Sequence, residues 1–485
     1  MKKNTWFKWS LIFVLLNLHF IRAQVLPLNE AIELALQRNQ QIKQMEERLK
    51  QKQHANLAAW GNFLPQVKLE ASYTHLNRPL DIDLDFLRQG LLQLQTNDQV
   101  QLANLKSLIL NGRPLNQAEL AAVQQQAYAG LNSALPPFVL NFKDQDYRTA
   151  TLVGVQPIFL GGKLIAAKRF ASAELEASKN ELAKTRNEVI DQVVKRYLTV
   201  VLLTQVVKTR QNVLQGMLRH QEQAEKLFKE GLISKSDVLR ARVAVAEARR
   251  NLFNDQNNLK LAKTALNYAL GANPSEQFII QDTLLYRALP DSLNHFLQQA
   301  QNNQPLLQLL TNKEKSAAQK FTAERAEFLP QLAAFGKYEM YPEYLSLLEP
   351  RWAVGLKLEF SLFKGFKDYN QLQEARHLKK EIHHLREHSR QQIELWVQKA
   401  YQQMRNAENR YQQLASDIAL AKENLRSQQK RFEAGLGTSL DVIDARLILE
   451  KEQIARHQAL FDYYQSMMDL FTASGQSERI TKIWD

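Results

Sequence analysis

The sequence predicts a mostly α-helical fold, a tandem duplication of long helical hairpins in which each copy also carries two strands of a membrane β-barrel. Three observations predict it. One pattern of residues recurs at a fixed offset, the helical stretches run far beyond ordinary globular lengths, and four short stretches alternate between apolar and polar side chains.

The repeat is read first. Phe63-Leu64-Pro65-Gln66 recurs as Phe328-Leu329-Pro330-Gln331. Phe228, Gly231, Leu232, Asp237, Val238, Ala241 and Arg242 recur 204 positions later as Phe432, Gly435, Leu436, Asp441, Val442, Ala445 and Arg446, and Tyr197 and Tyr401 keep that offset. Ile158-Phe159 with Gly161 corresponds to Leu362-Phe363 with Gly365. The copies span about 24–282 and 283–485.

Each copy reads in the same order. A helix over 28–62 or 291–329 ends near Pro65 or Pro330, since proline disfavours helix in the residue before it. Two strands follow, clearest where Val354, Leu356, Leu358, Phe360 and Leu362 alternate with Gly355, Lys357, Glu359 and Ser361, and again over Gln66–Thr74. Segments 147–159, carrying Pro157, and 331–340 are weaker versions. Gly161 and Gly162 in one copy and Gly365 in the other form flexible joints into a very long helix, 163–228 or 367–432. Such a helix rises about 100 Å. A glycine turn and a shorter helix, 236–270 or 440–473, complete the copy. The shorter helices sum to nearly the length of the long one, which implies two stacked end to end beside it. Val238, Val245, Leu252, Leu259 and Leu266, and likewise Leu440, Leu447, Ile454, Phe461 and Met468, repeat every seven residues, the signature of left-handed supercoiling.

Composition narrows the class. Apolar residues make up 45% of the 485 and charged residues 23%, which excludes disorder. The absence of cysteine excludes disulfide stapling, a thiol nucleophile, Cys-ligated metal and a lipidated cysteine. Of the formal charge of +13, four positive charges (Lys2, Lys3, Lys8, Arg22) lie in the first 23 residues, which read as a secretory leader with an apolar core from Leu11 to Leu18 and Ala23 at the cleavage point. The remaining charge is dispersed among acids, so no nucleic-acid partner is expected. Beyond the leader, the best apolar run, Tyr197–Val207, is broken by Thr199, Thr204 and Gln205 and is too short to span. A chain of this kind crosses a membrane only as a closed barrel. Four strands of 9–12 residues leave open edges, and three copies supply twelve.

The order of leader, helix, FLPQ strand, QPIF-x-GG strand, long helix and F-x-x-G-L-x-(S/T)-x-x-D-V turn, run through twice, resembles the TolC-type outer-membrane efflux channels over essentially the whole mature chain. The resemblance implies a homotrimer whose twelve-stranded barrel sits in outer-membrane lipid and continues as a helical α-barrel across the periplasm. It implies an exit duct with no cofactor and no enzymatic activity, working with a periplasmic membrane-fusion adaptor and, through it, an inner-membrane pump of RND, ABC or MFS type. Gly231, Leu232 and Ser234, with Gly435, Leu436 and Thr438, match the tips that meet the adaptor. Asp237, Asp441, Asp444 and Phe432 match the periplasmic aperture, Phe432 standing where the family has a tyrosine and Gly437 where it has an arginine. The connection 77–146 is far longer than the family pattern, and it reads as a long outer loop, either a partial cap over the exit or a decorative or recognition loop.

No catalytic constellation stands out. Gly161-Gly162-Lys163 lacks phosphate-loop spacing. His377, His384 and His388 share a helical face, which reads as a solvated stripe ahead of a metal site. Phe159 and Phe363 fit either an interfacial aromatic girdle or core packing. The heptads and leader would also suit a fibrous coiled-coil adhesin or periplasmic structural protein, which has no need of four alternating strands. For Asp441, helix N-terminal stabilisation competes with an aperture role.

Overall fold

The computed structural model describes residues 24–273, 276–346 and 348–484, so the expected leader lies outside the described residues. In chain order the elements are β1 (Gln24–Val25), α1 (Leu28–Arg38), α2 (Gln40–Gly61), β2 (Gln66–His75), β3 (Leu80–Asp83), α3 (Asp85–Asn111), α4 (Gln117–Ala134), β4 (Val139–Lys143), β5 (Asp146–Leu160), α5 (Lys163–Lys229), α6 (Lys235–Ala269), β6 (Phe278–Ile279), α7 (Leu293–Asn303), α8 (Pro305–Ala326), β7 (Gln331–Glu339), β8 (Trp352–Glu359), α9 (Lys367–Glu433), α10 (Ser439–Ala473) and α11 (Arg479–Trp484). They form two compact units. One holds the described residues up to Ala59, Ile165–Glu324 and those from Tyr369 on, and the other holds Trp60–Leu164 and Arg325–Asp368. Each unit draws on both sequence repeats.

In the helical unit, α5 and α9 each have 67 residues, close to expectation. Side-chain pairs trace how α5 is flanked. Asn56 meets Lys168, Lys52 meets Glu174, and Arg48 meets Glu181, so α2 runs antiparallel along its first half. Asp255 meets Arg210 and Glu225 meets Arg242, so α6 runs along the second half. The end-to-end stacking inferred from lengths is therefore observed. Glu174 of α5, buried between α2 and α8, also accepts from Lys313 on α8. Burial pushes its carboxyl up, but the Lys313 and Lys52 ammonium groups outweigh this and hold it below the usual range.

The expected helices 28–62 and 291–329 are each two helices. At the first break Asn39 adopts extended backbone and its side chain accepts from Gln41 N at 2.8 Å, a local bond that competes with the helix. At the second, Pro305 supplies no N–H and forces Gln304 into extended backbone. The core of this unit gathers around Tyr197, Phe296, Tyr463 and Phe471. There α11 and the parallel β1–β6 pair, neither expected from the sequence, are tied in through Asp282, which accepts from Tyr197 at 2.6 Å and from Trp484 at 2.8 Å. The first heptad seam is buried or half-buried throughout, whereas Leu440 and Leu447 of the second are exposed.

In the other unit, β2, β5, β7 and β8 form a four-stranded antiparallel sheet in that order. Register places Leu69, Leu152, Tyr338 and Trp352 at one level and Val67, Gly154, Gly336 and Val354 at the next, so one face is apolar across all four strands. Lys68, Glu70, Lys337, Lys357 and Glu359 belong to the other. The apolar face lies exposed, and the outer edges of β2 and β8 have no strand partner among the described residues. Phe159 and Phe363, 48% and 72% exposed, are surface residues and not core.

The segment 77–146 is not an irregular loop. It folds as a two-stranded ribbon, β3 with β4, bearing a helical hairpin of α3 and α4. The capping box of Asn116 and Glu119 and the left-handed Gly112 that ends α3 are local signals that the sequence carried.

Candidate functional site: the paired hairpin tips

Both tips are built the same way from the backbone up. At the end of α5, Gly231 takes φ +74°, its N–H bonds to Phe228 O at 3.0 Å, and Leu232 N reaches back to Leu227 O at 2.9 Å. At the end of α9, Gly435 takes φ +71°, with Gly435 N to Phe432 O at 3.0 Å and Leu436 N to Arg431 O at 2.8 Å. This is the Schellman closure, which only a residue tolerant of positive φ completes cheaply. A capping box then opens the next helix. Ser234 Oγ accepts from Asp237 N at 3.3 Å while Asp237 accepts from Ser234 N, and Thr438 and Asp441 repeat the exchange at 3.3 and 2.8 Å. The leucine after each glycine stands proud, Leu232 at 60% and Leu436 at 73% exposed.

Asp237 and Asp441 thus both take part in helix starts. The Thr438 N–H and hydroxyl hold the Asp441 carboxyl below the usual range, with Arg431 adding to the effect. Asp444, one turn on, is exposed. Phe432 is corrected here. It is 2% exposed and packs with Ala224, Leu227, Val238, Ala241, Leu425, Val442 and Ala445, so within the protomer it is the shared core of the two tips and not a surface facing an aperture.

The contacts of His220, Ser439, Arg446 and Gly216 at this site escaped the sequence reading. His220 of α5 lies 4.8 Å centroid to centroid from Phe432, and its Nε2 shares a 2.8 Å hydrogen bond with the buried Ser439 hydroxyl. Burial, aided by the Arg446 guanidinium, pushes its pKa down to about 4, so the ring is neutral at pH 7. Arg446 lies against Gly216, where a Cβ would sit 1.8 Å from its Nη1. A lone glycine inside so long a helix was the available signal, since mid-helix glycine marks close approach.

The junction residues form a second local motif. Gly161 (φ +60°) and Gly162 (φ +88°) have counterparts in Gly365 (φ +62°) and Phe366 (φ +60°). A Cβ on Gly161 would meet Ala326 O at 2.6 Å. Pro157 sits at the register shift between β5 and β7, where a strand tolerates a missing N–H, and Gln156 Nε2 bonds to Phe63 O beside Pro65. Glu327, three residues before Pro330, pairs with both Lys163 and Lys364. His377, His384 and His388 are all exposed, and among the described residues no group of three or more metal-binding side chains occurs. No helix among the described residues is long and apolar enough to cross a membrane.

The model of the outer membrane efflux protein family matches residues 127–272 and 296–476. The chain belongs to the outer membrane efflux protein family. Among solved structures of like fold are the outer membrane protein VceC of Vibrio cholerae, at TM-score 0.70 and 20% identity over 92% of this chain and 96% of that one. The outer membrane channel CmeC of Campylobacter jejuni matches at TM-score 0.70 and 15% identity, over 94% and 89%. The cobalt-zinc-cadmium resistance protein CzcC of Cupriavidus metallidurans is 31% identical over 164 residues, which span 33% of this chain and 38% of that relative. Family membership makes the chain an outer-membrane protein of a channel family, and gives the repeated hairpins and the four-stranded sheet their context.

Proposed function

We propose that the chain is the outer-membrane exit duct of a tripartite export machine, a homotrimer that passively conducts drugs, small molecules or secreted polypeptides. A periplasmic adaptor and an inner-membrane pump supply the cargo and the energy. One observation carries this reading: a four-stranded sheet with an exposed apolar face and two edges, β2 and β8, that have no strand partner among the described residues. In lipid each unmet backbone group costs several kcal/mol. Three copies joined β8 to β2 close twelve strands and leave no edge.

Within that assembly the two tips are the adaptor-docking points. Their support is the shared backbone, the exposed Leu232 and Leu436, and the open space around Gly231 and Gly435. Asp441 and Asp444 line the periplasmic aperture, where three-fold symmetry gathers carboxylates into a cation-attracting ring. Fractionation with unboiled gels tests the reading. The expected result is a heat-modifiable trimer in the outer membrane that gives single-channel conductance in planar bilayers. A salt-extractable protein without conductance overturns it.

A further inference from the structure

The hairpin of α3 and α4 is built as though part of its packing lies elsewhere. Among its own residues α4 buries none, and α3 buries only Arg88, Leu92, Thr96 and Ser107. The pair is fastened mainly by polar clasps. Arg88 donates to Leu135 O at 2.9 Å and to Asn132 Oδ1 at 2.5 Å, Asn104 Oδ1 accepts from Leu115 N at 2.8 Å, and Ser107 donates to Arg113 O at 3.1 Å. Meanwhile Leu87, Leu91, Leu94, Leu102, Leu105 and Ile109 recur at spacings of three, four and eight, which places them in one stripe offset from the line of Arg88, Leu92 and Thr96. All six are exposed, Leu94 at 65% and Ile109 at 74%.

Charge says what kind of surface covers the stripe. From 85 to 134 the charged residues are Asp85, Arg88, Asp98, Lys106, Arg113 and Glu119, three of each sign. Asp85 pairs with Arg88 at 3.1 Å and Glu119 with Arg113 at 3.0 Å, which leaves Asp98 and Lys106 outside these pairs. An anionic lipid surface attracts clustered Lys and Arg, and this hairpin has no such cluster. A surface of zero net charge does not repel its own copies.

Position favours the same occupant. The stem leaves β2, an edge strand of the sheet, after four residues and returns to β5 after two. It is pinned at its base by Lys143, which pairs with Glu349 at 3.2 Å and lies 5.3 Å from the Tyr344 ring centre. Hairpins held on short stems at the boundary between neighbouring copies meet as if intramolecularly, at effective concentrations in the millimolar range.

We propose that the α3–α4 hairpins of the three copies pack on one another through the leucine stripe of α3, at the outer end of the barrel. This inference rests on the trimeric exit-duct reading. The chain has no cysteine, so single Leu94→Cys and Leu105→Cys variants give a clean background for oxidative crosslinking in intact cells. The expected result is a disulfide-linked dimer on non-reducing gels from each variant. In Leu94→Cys it should fall at least tenfold when Leu91→Asp and Leu105→Asp are added, with the trimer retained. Heat-modifiable trimers without crosslinking from either variant overturn this inference alone, and quenching of a dye at Leu94→Cys by brominated lipid would then name the membrane as occupant. Absence of trimers in the unaltered chain overturns the exit-duct reading and this inference with it.

Discussion

Lowering the pH of the purified protein from 7.5 to 5 probes how the two tips are held together. His220 is the buried titratable group there, enclosed by Phe432, Ser439 and Arg446, with Asp237 the acid near enough to favour its charge. An ordinary imidazole titrates near 6.5, and this one has been pushed down to about 4. Because the folded value is depressed, the stability contributed by the neutral ring is complete above about 6.5 and is lost as the pH falls through 4. The full swing is about 3 kcal/mol, at about 1.4 kcal/mol per pH unit. At pH 5, about 2 kcal/mol of it is gone, so local opening of the tip should become ~30-fold more frequent. Hydrogen exchange over 216–232 and 432–446, corrected for intrinsic rates, reads this directly, with 393–407 in the α9 core as the insensitive reference. His220→Gln keeps a hydrogen-bonding group for Ser439 and should flatten the response. An equal pH response in that variant would assign the effect to another group, and an imidazole titrating near 6.5 by NMR would refute the burial reasoning.

Three further outcomes are expected. Replacing residues 80–144 by a short Gly/Ser linker should retain outer-membrane trimers, because the β7–β8 connection shows that a short link suffices, and should raise single-channel conductance; loss of trimer would make the hairpin essential to assembly. Gly231→Trp and Gly435→Trp should abolish export with the trimer intact. Forcing a side chain into positive φ costs only about 1–2 kcal/mol, and open space surrounds both glycines, so Gly231→Ala with Gly435→Ala should export far better than the Trp pair, and equal loss in both would indict strain instead of docking. Asp441→Asn with Asp444→Asn should leave the trimer in place, costing about 1 kcal/mol at most through the capping box, while weakening cation selectivity in bilayer recordings; unchanged selectivity would move the constriction elsewhere.

The large elements were legible because their signals are periodic and doubled. The long helices, the alternating strands and the tip glycines each appear twice at one offset, so each copy checked the other. The breaks at Asn39 and Gln304 were missed although Pro305 announced the second, because an apolar period continues across both. The 77–146 hairpin was misread as loop for the opposite reason. It has no counterpart in the second copy, and its leucines lack the charged opposite face that marks a water-exposed amphipathic helix. At the tips, glycines, caps and acids could be named, but the burial of Phe432 could not. Whether an aromatic faces outward or into a neighbouring hairpin is decided by tertiary packing, as are the partners of His220 and Arg446.

The two strand-to-helix joints make one bend from different residues. Two successive residues turn through positive φ at both, yet one joint spells Gly-Gly and the other Gly-Phe. Phe366 therefore holds a backbone shape that its own side chain disfavours by about 1–2 kcal/mol, with its exposed ring set edge-on against Phe363 at 5.4 Å. The same bend is therefore made with two glycines at one joint and with only one at the other. Where strand and helix on either side impose the corner, the second position can carry a side chain in place of a glycine, here a ring that lies edge-on against Phe363.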